Sequence, residues 1–127
     1  PLLDRLDMQI EVPAVPPALL AEASSGADEA SAAIRARVAA ARERQLARQG
    51  RPNAELGPGE LDRQCPLATA ARALLHQAVE RLRLSARGYH RVLRLARTIA
   101  DLDGVDAIGV AQVAEAVGYR RLDRGSR

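Results

Sequence analysis

Leu67-Ala68-Thr69-Ala70-Ala71-Arg72-Ala73-Leu74-Leu75-His76-Gln77-Ala78-Val79-Glu80-Arg81-Leu82 decides the fold class. Leu67, Ala71, Leu74, Leu75, Ala78, Val79 and Leu82 recur at threes and fours, the spacing of one face of an α-helix. The pattern predicts a helix over about residues 67–83. Ser85 then supplies an N-cap for a second helix to about Leu102, with Ala86, Tyr89, Val92, Leu93, Ala96 and Ile99 facing inward and Gly104 ending it. A last helix over about 110–119 buries Val110, Val113, Ala114 and Val117, and the chain frays from Arg120 onward.

In the other direction, Pro66 closes a short helix near 59–65. Gly50, Pro52, Gly57, Pro58 and Gly59 mark 50–59 as a loop. Before it, a long helix runs from an N-cap at Asp28 to about Gln49, with an apolar face of Ile34, Val38, Ala41 and Leu46 and Gly50 at the C′ position. A short helix at 17–23 follows the rigid Pro13-Ala14-Val15-Pro16-Pro17. Leu6, Met8, Ile10 and Val12 alternate with Asp7, Gln9 and Glu11, a period-two strand signal with no second strand to pair with. A lone strand leaves its ladder unsatisfied. The fold class is therefore all-α, a small bundle of four or five helices with an unpaired or disordered N-terminal strand segment.

Composition agrees. In 127 residues there is no Phe or Trp, and the only aromatic residues are Tyr89 and Tyr119. The core must come from Leu, Val, Ile and Ala, which suits packed helices. No apolar run approaches the ~20 residues of a membrane span, and no signal peptide is visible, so a cytoplasmic location is expected. Cys65 is alone, excluding an internal disulfide. With His76 and His90 the only histidines, no metal site is expected. All nineteen basic residues are Arg, so the Lys of a phosphate-gripping Walker A loop is missing. Residues 1–30 hold six acids against Arg5, residues 31–100 hold fourteen Arg against five acids, and residues 101–127 are near neutral.

The basic middle offers two constellations. Arg35, Arg37, Arg42, Arg44, Arg48 and Arg51 oppose only Glu43 along the long helix. They form either a phosphate-tracking surface for nucleic acid or a solvated or subunit-facing side. Arg87, Arg91 and Arg94 lie four and three apart on the Ser85 helix. Arg87 occupies its first turn, where the helix dipole favours an anion. The alternative is a solvent-facing stripe pairing with acids such as Glu80. His90 reads as a partly exposed helix residue, His76 as structural or solvated, and Cys65 as no nucleophile. Asp101, Asp103 and Asp106 lack the Gly and distal Glu of a calcium loop and read as helix-end residues. No catalytic centre is recognisable in this chain.

Four stretches carry a resemblance. Residues 1–12 (Pro1-Leu2-Leu3-Asp4-Arg5-Leu6 onward) look like the segment after the sensor 1 strand of AAA+ proteins of the magnesium-chelatase class. Residues 33–45, 84–104 and 113–120 are similar to the C-terminal region of the magnesium-chelatase-related, ComM/YifB-like AAA+ ATPases. The resemblance implies that 1–16 is the end of an AAA+ core, 17–122 a helical lid and 123–127 a frayed tail, and that Pro1 is an internal boundary of a longer protein. It implies ATP and Mg as cofactors of that parent, and as partners its own core and neighbouring subunits of a homo-oligomeric, hexameric ring, with DNA as a further partner. The Leu-Leu-Asp-Arg motif implies that Arg5 is an arginine finger acting in trans, and Ser85-Ala86-Arg87 that Arg87 is the sensor 2 arginine on the ATP phosphates. The parent would be a bacterial DNA-processing motor; this chain alone would be no enzyme. The rival expectation is a stand-alone nucleic-acid-binding bundle using the Arg35–Arg51 face, with Arg35, Arg37, Arg42, Arg44 and Arg48 at its centre.

Overall fold

A computed structural model describes residue 2, residues 5–21 and residues 29–120. Six α-helices occur among them: α1 Pro17–Ala21, α2 Ser31–Gln49, α3 Pro58–Gln64, α4 Thr69–Leu82, α5 Ala86–Asp103 and α6 Val110–Gly118, with a 3-10 turn at Asn53–Glu55. The all-α bundle is as expected, and the long helices fall within a few residues of their predicted bounds. Asp28, the expected cap of α2, lies outside the described residues.

α5 is the hub, packed against α2, α3, α6 and the 3-10 turn, while α4 closes on α6. Its start is fixed locally: Ser85 Oγ accepts from the Gly88 N–H at 3.1 Å, satisfying one of the donors that a helix leaves open at its N-terminus. Its end is Gly104 at φ 74°, a left-handed geometry open to glycine at little cost. Between them Val92, Leu93, Ala96 and Ala100 join Leu61, Leu75, Ile108, Val113 and Ala116 in one core. Fully burying each of the larger of these side chains contributes about 1.5–3 kcal/mol. A parallel bridge between Leu67 and Ile108 ties the chain entering α4 to the chain entering α6, the Ala68 N–H reaching the Ile108 carbonyl at 3.0 Å and the Ile108 N–H the Pro66 carbonyl at 2.9 Å.

Several expected faces are corrected. Every residue of α2 from 31 to 40 is exposed, and the helix buries only Ala41 and Gln45. Ile34, Val38 and Leu46 keep 41%, 54% and 43% of their surface, so helical spacing marked a face that the fold leaves uncovered among the described residues. Ala86, Val110 and Ala114 are also exposed: Ala86 and Val110 open their helices ahead of the first buried residues, Gly88 and Val113, and Ala114 lies on the outward side of α6 between buried Val113 and Ala116. Arg120, placed in the frayed end, is instead 2% exposed and donates from Nη1 to the Leu6 carbonyl at 3.2 Å.

No β-ladder includes residues 6–12. The segment lies against the end of the bundle: the Gln9 N–H reaches the Tyr119 carbonyl at 2.7 Å, and Asp7 pairs with Arg91 of α5. An extended strand signal has thus become an unpaired arm held by scattered polar contacts.

Candidate functional site

The first two turns of α5 carry the candidate chemistry. Ala86, Arg87, His90, Arg91 and Arg94, with Pro58 of α3, line an open cleft of about 380 Å³. The arginines face it because they stand four and three residues apart on one helix flank, while Val92, Leu93 and Ala96 turn the opposite flank into the core. Their states differ. Arg94 donates from Nη2 to the Leu56 carbonyl at 2.9 Å and anchors the loop before α3. Arg91 is paired with Asp7 of the N-terminal arm. Arg87 is exposed, and its side chain has no hydrogen-bond or ion-pair partner among the described residues. A guanidinium on the first turn, unengaged and beside other positive charges, is suited to hold an oxyanion.

His90 is half-buried with its ring edge-on to Tyr89, centroids 5.2 Å apart. His76 is exposed. Cys65 is buried, and burial pushes its thiol up to about 11 against the pull of Arg97 and Arg48, so it stays protonated and a poor nucleophile. No group of three or more His, Cys, Asp or Glu among the described residues is arranged to hold a metal ion.

The Arg-rich face of α2 divides. Arg48 donates to Asp101 Oδ1 at 2.7 Å and Oδ2 at 3.1 Å, and to Asn53 Oδ1 at 2.9 Å. Arg44 donates to the Asp101 carbonyl at 2.5 Å and lies over Gly104. These two fasten α2 to α5. Arg51 pairs with Glu60 and Arg37 with Glu29. Only Arg35 and Arg42 are exposed with no partner among the described residues. Four of the six arginines of the expected basic face are thus engaged by oxygens of the chain itself. Arg5 is exposed, and among the described residues only its backbone N–H is engaged, with the Leu2 carbonyl at 3.1 Å. It sits two residues before Asp7, so the arm that carries it is fastened one helical turn from Arg87.

The sequence reading missed the buried polar cluster behind this face. Arg97 and Asp101 are each 1% exposed. Asp101 also accepts from Asn53 Nδ2 at 2.9 Å and lies 3.2 Å from Arg97, which donates to the carbonyls of Asp106 at 2.6 Å and Val105 at 2.9 Å. Burial pulls the Arg97 guanidinium below its ordinary pKa, while the Asp101 carboxylate opposes that shift. A signal existed: Leu93, Arg97 and Asp101 form one i, i+4 row that starts in the core.

A family model described as magnesium chelatase, subunit ChlI C-terminal, matches residues 28–120. The chain belongs to this family. Over 124 residues it is 43% identical to the competence protein ComM of Haemophilus influenzae, an alignment covering 98% of this chain and 24% of that protein. It is 42% identical over 125 residues to the protein YifB of Salmonella typhimurium, again 98% of this chain and 24% of the relative. With the mycobacterial protein Mb2921c of Mycobacterium bovis the figure is 39% over 127 residues, 95% of this chain and 24% of the relative. The chain therefore spans about a quarter of the length of the curated relatives it matches. No helix among the described residues is long and apolar enough to cross a membrane.

Proposed function

We propose that this domain is the lid of a magnesium-chelatase-related AAA+ ATPase, with Arg87 acting as the sensor 2 arginine against the phosphates of ATP and Mg held by the parent's core. The observation that carries the reading is the state of Arg87: of the three arginines on the cleft flank of α5, it alone has a side chain with no partner among the described residues. A guanidinium free to swing onto a transferred phosphoryl group stabilises the charge that spreads over its oxygens.

Arg5 serves in this proposal as an arginine finger for the neighbouring subunit of a homo-oligomeric, hexameric ring, so that hydrolysis depends on assembly. Its exposed position on the N-terminal arm supports that assignment. DNA processing in the bacterial cytoplasm is the parent role proposed, supported by the 43% identity to a protein named for competence. The alternative of a stand-alone nucleic-acid-binding bundle loses support from the commitment of Arg44 and Arg48 to Asp101.

The test is Arg87→Ala in the full-length protein. Because the side chain is exposed and unpaired, its removal should leave the melting temperature unchanged. ATP turnover should fall by about 10²-fold or more, the scale of losing one preorganised donor to a developing oxyanion. Turnover within twofold of the parent would reject the assignment.

A further inference from the structure

Of the cleft arginines, Arg91 has the partner that lies farther along the chain. Its Nη1 meets Asp7 Oδ1 across 84 residues of sequence. The contact is single-pronged. Arg91 Nε is buried with no hydrogen-bond partner among the described residues, and the Asp7 side chain keeps 47% of its surface. A one-oxygen pair that is half in water is weak, whereas a phosphate group brings three acceptor oxygens and can meet a guanidinium with two. Other polar ties hold the arm as well, among them the Gln9 N–H to the Tyr119 carbonyl and Arg120 Nη1 to the Leu6 carbonyl.

We infer that Asp7 is an internal stand-in anion for the Arg87–Arg91 cleft, displaced from Arg91 when the polyphosphate of a nucleotide enters, so that ligand binding loosens the N-terminal arm that carries Arg5. The inference rests on the reading of Arg87 as phosphate-facing and adds to it a coupling: occupancy of the cleft and the freedom of Arg5 become one equilibrium. The ligand must bind the released state better than the clasped one, and it does so because release frees Arg91 Nη1 and removes a carboxylate charge that repels the incoming anion.

Inorganic triphosphate titrated into the 127-residue chain at fixed ionic strength tests this, with far-UV circular dichroism confirming that every variant keeps its helices. Asp7→Asn should raise triphosphate affinity about two- to fivefold, the range of a partly exposed ion pair, by removing the competitor. Glu11→Gln removes the same charge from the same arm without touching Arg91 and should change affinity less than 1.5-fold or so. Saturating triphosphate should speed hydrogen exchange of the Gln9 amide in the parent chain, and Asp7→Asn should do so without ligand.

Equal affinity of the Asp7→Asn variant and the parent, equal effects of Asp7→Asn and Glu11→Gln, or Gln9 exchange unmoved by bound triphosphate would each overturn the clasp. So would the absence of triphosphate binding in every variant, or release of the arm by a short DNA duplex and not by triphosphate. The two readings fail separately. Triphosphate binding lost in Arg87→Ala but indifferent to Asp7→Asn sinks the clasp alone. A competitive Asp7 together with unaltered ATP turnover in full-length Arg87→Ala sinks the sensor 2 assignment alone.

Discussion

Replacing Asp101 by Ala removes the carboxylate on which α2, α5 and the loop before α3 converge. The side chain is 1% exposed and accepts from Arg48 twice and from Asn53, with Arg97 3.2 Å away. Losing one member of a buried pair costs far more than the pair itself contributes, because the partner's charge stays behind unpaired. Arg97, also 1% exposed, would keep two backbone carbonyls and no counterion. The expected loss is about 3–5 kcal/mol, against under ~1 kcal/mol for a surface pair. Urea unfolding followed by circular dichroism measures it. With a slope of about 1.5 kcal/mol per molar, the midpoint should fall by about 2–3 M. Should Asp101→Ala not fold, Asp101→Asn keeps the shape and loses only charge, and should still cost more than about 1.5 kcal/mol. Arg48→Ala sets the internal scale. Its side chain keeps 24% of its surface and its loss leaves Asp101 with Arg97 and Asn53, so about 1–3 kcal/mol is expected. If both Asp101 variants unfold within 0.5 kcal/mol or so of the parent, the cluster is ornamental and the account of how α2 is held is wrong.

Arg83 closes α4 at φ 50°, a left-handed geometry costing a side-chain-bearing residue roughly 1 kcal/mol, so Arg83→Gly should raise stability by about 0.5–1 kcal/mol in the same urea assay. Cys65 ionises near 11 when folded and near its ordinary 9.0 when unfolded. Its raised pKa leaves stability intact below pH 9, and stability is lost as pH rises from about 9 towards 11, by up to roughly 2–3 kcal/mol. The Cys65→Ala variant should show a flatter decline over that window, and parallel curves for the two proteins would refute the burial effect. Below pH 9 the native thiol should resist a disulfide reagent until denaturant is added.

The helices were legible where a local rule decides them. Ser85 and Gly104 bracket α5 through a cap and a left-handed glycine that need only their neighbours, and the stripe of Ala71, Leu75 and Ala78 finds α4 by period alone. Reading failed where a residue's fate depends on which neighbour it meets. Ile34 and Val38 have helical spacing, yet α2 buries only Ala41 and Gln45, so amphipathic spacing marked a face without covering it. Arg44 and Arg48 looked like a solvent-facing charge run because a sequence does not show that Asp101 stands opposite, 53 residues beyond Arg48.

The arginines of this chain separate into those the fold consumes and those it leaves over. Arg97 is buried among carbonyls, Arg48 and Arg44 lock α2, and Arg94 holds the Leu56 carbonyl. Each of these guanidiniums is matched to an oxygen supplied by the chain itself, and a substitution there should be read in stability. Arg87 has no such match among the described residues, and Arg91 has one provided by a half-exposed carboxylate on the N-terminal arm. Those two, a turn apart on one flank, are where a substitution should be read in ligand binding with the fold intact. Arg35 and Arg42 of α2 are likewise without a partner among the described residues, but only Arg87 and Arg91 share a cleft with a third arginine, Arg94, and it is that cleft the proposed phosphate site uses.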